Sequence, residues 1–162
     1  MIISPTTQAY LREIEMDDAR LIENLIYRYA ELIDQGDLKN LAELFRSAAI
    51  VSPDHGTEIR GIDAVLKLYQ NSCRLHASSG TPLTRHLTSN VIIEVEHDAA
   101  TATARSYYTV IQATETLPLQ PIISGHYHDS FDRSENGTWQ FSTREMYIDL
   151  MGDCSEHLLY AI

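Results

Sequence analysis

The chain has 162 residues, enough for one domain with its own core and short of what two domains need. Hydrophobic residues make up 44% and charged residues 22%, a globular balance that excludes a disordered chain. The formal charge is −11, from 23 acidic and 12 basic residues with no local Lys/Arg cluster. That charge argues against nucleic acid and against an anionic membrane surface as partners.

The N-terminal stretch MIISPTTQAY has neither the basic start nor the apolar run of a secretion signal. No stretch reaches the roughly 18 apolar residues of a membrane span. Cys73 and Cys154 lie far apart and form no CxxC pair, which fits reduced thiols. The expectation is a soluble, cytoplasmic, single-domain protein over residues 1–162, with its core in about 17–150. The first predicted element is a helix from Asp17 to Asp34, where Leu21, Ile22, Leu25, Ile26, Tyr29, Leu32 and Ile33 recur at helical spacing. Gly36 supplies a left-handed stop, and Asp37 caps a second helix with the apolar face Leu38, Leu41, Leu44 and Phe45. Ala48 to Ser52 reads as a short strand, Pro53 to Gly56 as a turn, and Ile62 to His76 as a third helix closed by Ser78-Ser79-Gly80-Thr81-Pro82.

From there the period changes to two. Thr84 to Glu96, Thr101 to Thr114, Ile122 to Arg133 and Thr138 to Leu150 are rich in Val, Ile, Thr and Tyr and read as long strands. His97-Asp98-Ala99-Ala100 and Glu135-Asn136-Gly137 are hairpin turns, and Leu117 to Pro121 is a looser connection. Helices first and a meander afterwards give an α+β fold. Long strands twist and curl, so the helices are expected on the concave side of a cone-shaped, curved antiparallel or mixed sheet with an interior pocket.

Three groups converge in such an architecture: Asp34 at the end of the first helix, His86 near the start of the first long strand, and Arg144 in the last. An Asp that accepts the Nδ1 proton of a His leaves the Nε2 lone pair available, which makes the imidazole a general base near neutral pH. An Arg in the same pocket would stabilise developing negative charge. Each residue also has a plainer reading. His86 serves as a satisfied core histidine, Asp34 as a turn residue, and Arg144 as a strand residue paired with Glu145 or Asp132.

The stretches Tyr29-Ala-Glu-Leu-Ile-Asp34-Gln-Gly-Asp-Leu-Lys-Asn-Leu, Arg85-His86-Leu-Thr-Ser-Asn90 and Gly137-Thr-Trp139-Gln-Phe-Ser-Thr-Arg144 resemble the SnoaL-like branch of the nuclear transport factor 2-like superfamily. The likeness covers roughly residues 17 to 150. It implies a cone-shaped α+β barrel and an Asp–His dyad, as used by scytalone dehydratase, hexachlorocyclohexane dehydrochlorinase and bile acid 7-alpha-dehydratase. Asp34 and His86 match the dyad, Arg144 an Arg of the latter two enzymes, and Tyr29 a Tyr of the bile acid enzyme. Two departures separate the chain from scytalone dehydratase. Ile33 stands where that enzyme has Tyr, and Thr101 to Thr114 contains Tyr107 and Tyr108 but no His.

Strand parity sets a condition on this reading. On strict alternation His86 points opposite to Leu87, Val91, Ile93 and Val95, and Arg144 opposite to Trp139 and Phe141. Both sets face the cavity only if a residue is inserted, as in a β-bulge near Thr88 to Asn90. His126 and His128 form an HxH pair, two metal ligands with no second motif, so the expectation is no metal. They are assigned instead to the pocket wall, with Tyr127 packed on the other face and Tyr108 and Phe45 as further ligand contacts. Nine tyrosines against three phenylalanines suit a pocket that needs apolar bodies with polar tips.

The leading expectation is a cofactor-independent lyase, dehydratase-like, or an isomerase acting on a hydrophobic small molecule by His–Asp general base catalysis. The alternative is a non-catalytic small-ligand-binding or assembly domain of the same fold. The apolar sheet face points to a homo-oligomer, a homodimer foremost.

Overall fold

The computed structural model describes residues 17–97 and 100–160. The MIISPTTQAY segment and the middle of the His97–Ala100 turn lie outside them. Helix α1 (Asp18–Asp34) buries Ile22, Ile26, Tyr29, Leu32 and Ile33 along one stripe, as the periodicity predicts. It ends in a Schellman motif. Gly36, at φ 71°, donates from its N–H to the Ile33 carbonyl, and Asp37 donates to that of Leu32. Asp34 is thereby held as the last helical residue. A Cβ on Gly36 would stand 2.4 Å from the Gly80 carbonyl oxygen, so glycine is required there twice over.

Helix α2 (Leu38–Glu43) starts at Asp37, whose carboxylate accepts the Asn40 N–H at 3.2 Å. Strand β1 (Ala49–Ser52), a 3₁₀ turn (Pro53–His55) and β2 (Thr57–Arg60) follow. The sequence reading did not anticipate β2, whose residues are mostly exposed and pair with β1 alone. Helix α3 (Ile62–Ser72) stops four residues short of the predicted His76. Cys73 turns extended to bridge Leu158, and the Ser72 carbonyl accepts the Leu159 N–H at 3.0 Å. The chain after α3 therefore pairs with the C-terminal segment and cannot continue as helix.

Strands β3 (Thr84–Val95), β4 (Thr101–Gln112), β5 (Gln120–Arg133) and β6 (Trp139–Met151) form an antiparallel meander. The sheet runs β2-β1-β6-β5-β4-β3, with β1 parallel to β6, and does not close. Its curved inner face supplies Tyr108, Val110, Tyr127, Phe131 and Phe141, which pack with Ile22, Ile26, Leu32 and Phe45 of the helical layer. This is the expected α+β cone.

Bulges settle the parity conflict. Between the Ser89–Tyr107 and Ile92–Arg105 pairs, Asn90 and Val91 oppose Ser106 alone, and Asn90 takes φ 53°. Thr84, His86 and Thr88 face inward before the bulge, and Val91, Ile93 and Val95 after it, while Leu87 is left 52% exposed. In β6, Phe141 pairs with Phe131 and Thr143 with Ser130, so Ser142 is the extra residue. Trp139, Phe141 and Arg144 are consequently all buried.

Candidate active site

A cavity of about 170 Å³ lies between the helices and the inner sheet face. Tyr29, Ile33, Tyr69, Tyr108, Tyr127 and Met146 form much of its wall, and two histidines, His86 and His157, also line it.

Asp34 reaches β3 from the end of α1. Its Oδ1 accepts the Thr84 hydroxyl at 2.7 Å, its Oδ2 the His86 backbone N–H at 2.8 Å, and Oδ1 lies 2.7 Å from His86 Nδ1. Burial acts to raise the Asp34 pKa, but the bonds from His86 and Thr84 and the attraction of the imidazole outweigh it and hold the carboxyl below its ordinary range. An ionised carboxylate only accepts, so Nδ1 carries a proton, and the neutral tautomer this favours has its lone pair on Nε2. Both side chains are nearly buried, at 6% exposure for His86 and 11% for Asp34.

Tyr29, five residues and about one and a half turns before Asp34, lies in the cavity wall. Its hydroxyl is 2.7 Å from that of Tyr69, either oxygen being able to donate. Burial raises the Tyr29 pKa, with Arg144 opposing, so the phenol stays a neutral donor. Tyr108 stacks on Tyr127 at 4.4 Å between ring centroids and donates its hydroxyl to the Tyr147 carbonyl at 2.9 Å. It lines the cavity, but its polar tip is committed. Gly125 makes this contact possible, since a Cβ there would lie 1.9 Å from the Tyr147 oxygen.

Four expected contacts are placed elsewhere. Arg144 is fully buried and does not line the cavity. Its Nε and Nη2 bond the two Asp129 carboxylate oxygens at 2.8 and 2.7 Å. The guanidinium carbon lies 4.1 Å from the Tyr127 ring centroid and 4.2 Å from that of Tyr29, so those rings stand beside the charge. Burial opposes the Arg144 charge and the Asp129 carboxylate overcomes it, raising the pKa further. Neither Glu145 nor Asp132 is its partner. Phe45 is core, stacked on Phe141 at 5.2 Å and edge-on to Tyr29 at 6.1 Å.

His126 and His128 point to the outer face of the sheet, and Tyr127, between them, points in. His126 Nδ1 is 2.8 Å from Asp149 and its ring stacks on Tyr147, while His128 lies 3.9 Å from Glu145. They border an open trough of about 510 Å³ that holds no part of the dyad. Among the described residues no group of three or more His, Cys, Asp or Glu side chains converges to hold a metal.

Sequence reasoning missed several cavity residues, Tyr69, Met146 and His157 among them, and His157 is the one beside the base. It sits in the irregular segment after β6, where neither helical nor strand periodicity operates. It is 6% exposed, its ring centroid is 6.4 Å from that of His86, and its Nδ1 is buried without a hydrogen-bond partner among the described residues.

Comparison with known proteins agrees with this architecture. A family model described as a SnoaL-like domain matches residues 15–145. An NTF2-like protein with a cystatin-like fold from Novosphingobium aromaticivorans is 25% identical with a TM-score of 0.69, the match covering 96% of each chain. A candidate scytalone dehydratase from the same organism is 26% identical with a TM-score of 0.64, and 91% of each chain is covered. A Mycobacterium tuberculosis protein of unknown function is 27% identical over 81% of this chain and 76% of its own, with a TM-score of 0.64. No curated protein matches.

Proposed function

The chain belongs to the SnoaL-like domain family, and from that premise we propose that it is a cofactor-independent lyase or isomerase acting on a hydrophobic small molecule. The observation that carries the reading is the 2.7 Å contact of Asp34 with His86 Nδ1 in the wall of an aromatic-lined cavity. His86 Nε2 takes a proton from an activated carbon of the ligand. The electron pair left on carbon either expels a neighbouring leaving group or moves onto a conjugated oxygen for reprotonation elsewhere. Asp34 keeps the imidazole in the working tautomer and stabilises the imidazolium, in the manner of other carboxylate–histidine pairs. Tyr29 donates to the oxygen that gains charge. Arg144 has no direct contact in this scheme and braces the Tyr29 and Tyr127 rings from behind.

The candidate scytalone dehydratase, similar over 91% of this chain, favours elimination over isomerisation. An assembly domain with a filled core would leave no hollow beside the dyad, so the cavity supports the catalytic reading over that alternative. Among the described residues no helix is long and apolar enough to cross a membrane. The outer sheet face exposes Leu87, Ile92, Tyr107 and Leu150, and we assign it to contact with a second copy of the chain. Light scattering at micromolar concentration tests that assignment, a monomer refuting it.

The catalytic test needs no native substrate. 5-Nitrobenzisoxazole opens to a coloured nitrophenolate when a base in an apolar site removes the C–H proton of its isoxazole ring, the electron pair forming the nitrile as the N–O bond breaks, so it reports on His86 directly. Wild-type protein should accelerate this opening, and His86→Gln should lose about 10²-fold or more of the rate while keeping the wild-type melt. A folded His86→Gln protein with the wild-type rate refutes the general base.

A further inference from the structure

The segment after β6 brings a second imidazole to the cavity and holds it from several sides. The His157 N–H donates to the Cys154 carbonyl at 3.0 Å, and the His157 carbonyl accepts the Arg74 N–H at 2.8 Å. Next to it, the Glu156 carbonyl accepts from Gln112 Nε2 at 3.0 Å and lies 3.1 Å from His76 Nε2. The backbone is thus fixed to β4 and to the chain after α3. Yet the ring that this scaffold presents ends in a buried nitrogen, Nδ1, with no protein partner among the described residues. A polar atom in that condition is normally bonded, so a native one without a partner calls for an explanation. The Asp34–His86 dyad offers none, because Asp34 is already engaged by His86 and Thr84.

We propose that His157 is the hydrogen-bonding contact for an oxygen atom of the ligand, so that the site takes a molecule carrying a hydroxyl or carbonyl group. This rests on the reading that the cavity binds a ligand. His157 and His86 stand in edge contact, 6.4 Å apart centroid to centroid, so a ligand in the cavity meets the base and the second imidazole side by side on the same wall. The cavity, about 170 Å³ and open on one side, admits a ring of benzene's size without setting an upper limit. The electrostatics define the role. Burial first, then repulsion from His86, bring the His157 pKa down to about 4, with Asp34 opposing. At neutral pH the ring is uncharged, so it donates one hydrogen bond and polarises the oxygen without transferring a proton. Proton removal stays with His86.

Phenol, cyclohexanone and benzene are the probes, one with a hydroxyl, one with a carbonyl and one with no oxygen. Calorimetric titration of wild type and His157→Phe should show about a tenfold weakening of phenol or cyclohexanone in the variant, with benzene unchanged. Which oxygen compound loses affinity distinguishes hydroxyl from carbonyl recognition. In wild-type protein with ¹⁵N-labelled histidine, the same compound should shift the His157 ring nitrogens, and benzene should not; this reading requires no folded variant. Unchanged affinities in folded His157→Phe, or unshifted His157 nitrogens at saturating phenol and cyclohexanone, overturn the proposal. Nitrobenzisoxazole opening by His86 reads the general base separately, so either reading can fail while the other stands.

Discussion

Replacing Arg144 with Met would leave the Asp129 carboxylate buried at 1% exposure, deprived of two hydrogen bonds of 2.8 and 2.7 Å. Removing one partner of a fully buried pair costs about 3–5 kcal/mol, because the remaining charge has neither water nor counter-ion. The guanidinium also lies 4.1 to 4.8 Å from the Tyr127, Tyr29 and Phe141 ring centroids, desolvated contacts worth about 2 kcal/mol that a Met thioether recovers in part. The single variant should therefore lose about 4 kcal/mol, a third or more of the stability of a typical domain. Asp129→Leu alone should be comparably destabilised, with the guanidinium stranded. The double variant Arg144→Met/Asp129→Leu removes both charges and should return to within about 1 kcal/mol of wild type, giving a coupling of several kcal/mol.

Urea unfolding followed by fluorescence of Trp139, the only tryptophan, measures all three. That indole is buried and donates to Asp18 at 2.9 Å, so its emission reports loss of tertiary packing. A single variant within about 1 kcal/mol of wild type would refute the buried-pair argument, as would a double variant no better than either single. The folded double variant should also open 5-nitrobenzisoxazole at near the wild-type rate. A selective loss of that rate would return Arg144 to the site itself.

Asp34→Asn should lower nitrobenzisoxazole opening by a large factor, since an amide can donate to Nδ1 and stabilise the wrong tautomer; an unchanged rate would show that the dyad does not act as a unit. Stability should fall on acidification. His157 is held near 4 in the fold against an ordinary 6.5, so its contribution is complete above 6.5 and is lost as the pH falls toward 4, about 3 kcal/mol in all. Asp34, lowered in the fold, adds a loss at lower pH, as protonation proceeds through its depressed value. Urea midpoints from pH 7 to about 2 check this, and His157→Phe should flatten the upper part of the curve. Gly125→Ala would put a methyl 1.9 Å from the Tyr147 oxygen and 2.8 Å from the Tyr108 hydroxyl, and should cost about 3 kcal/mol or prevent folding; a neutral result would remove the close approach as a constraint. Cys73, pushed up to about 11 by burial and then by Asp34, should resist iodoacetamide at pH 8 in the fold and react readily in urea, the two rates being compared by mass spectrometry.

How far the sequence could be read turns on which constraints are local. Helix α1 carries its stripe, its Gly36 stop and its terminal Asp34 within one stretch, so the helix and half of the dyad are visible there. The inward turn of His86 is non-local, but it left a trace. Two sets of residues on β3 each need the cavity side, and only an insertion satisfies both, which is what the bulge at Asn90 and Val91 provides. In β6 the same conflict marks the bulge at Ser142.

The HxH pair lies on the outer face because of the residues between and after it. Tyr127, Asp129 and Phe131 share one phase of β5, and His126, His128 and Ser130 the other. Burying the first set removes two large aromatic rings from water at the price of one carboxylate, and Asp129 has its compensating cation directly across the ladder in Arg144. Burying the second set would desolvate two imidazoles and a hydroxyl and leave Tyr127 and Phe131 in water, the poorer arrangement by the apolar area alone. The inward Asp129 then requires a buried cation, and Arg144 answers that requirement, which removes it from the cavity. His157 left no such trace. Its position depends on Arg74, His76 and Gln112 holding an aperiodic segment, contacts that span tens of residues and have no pattern within the segment itself.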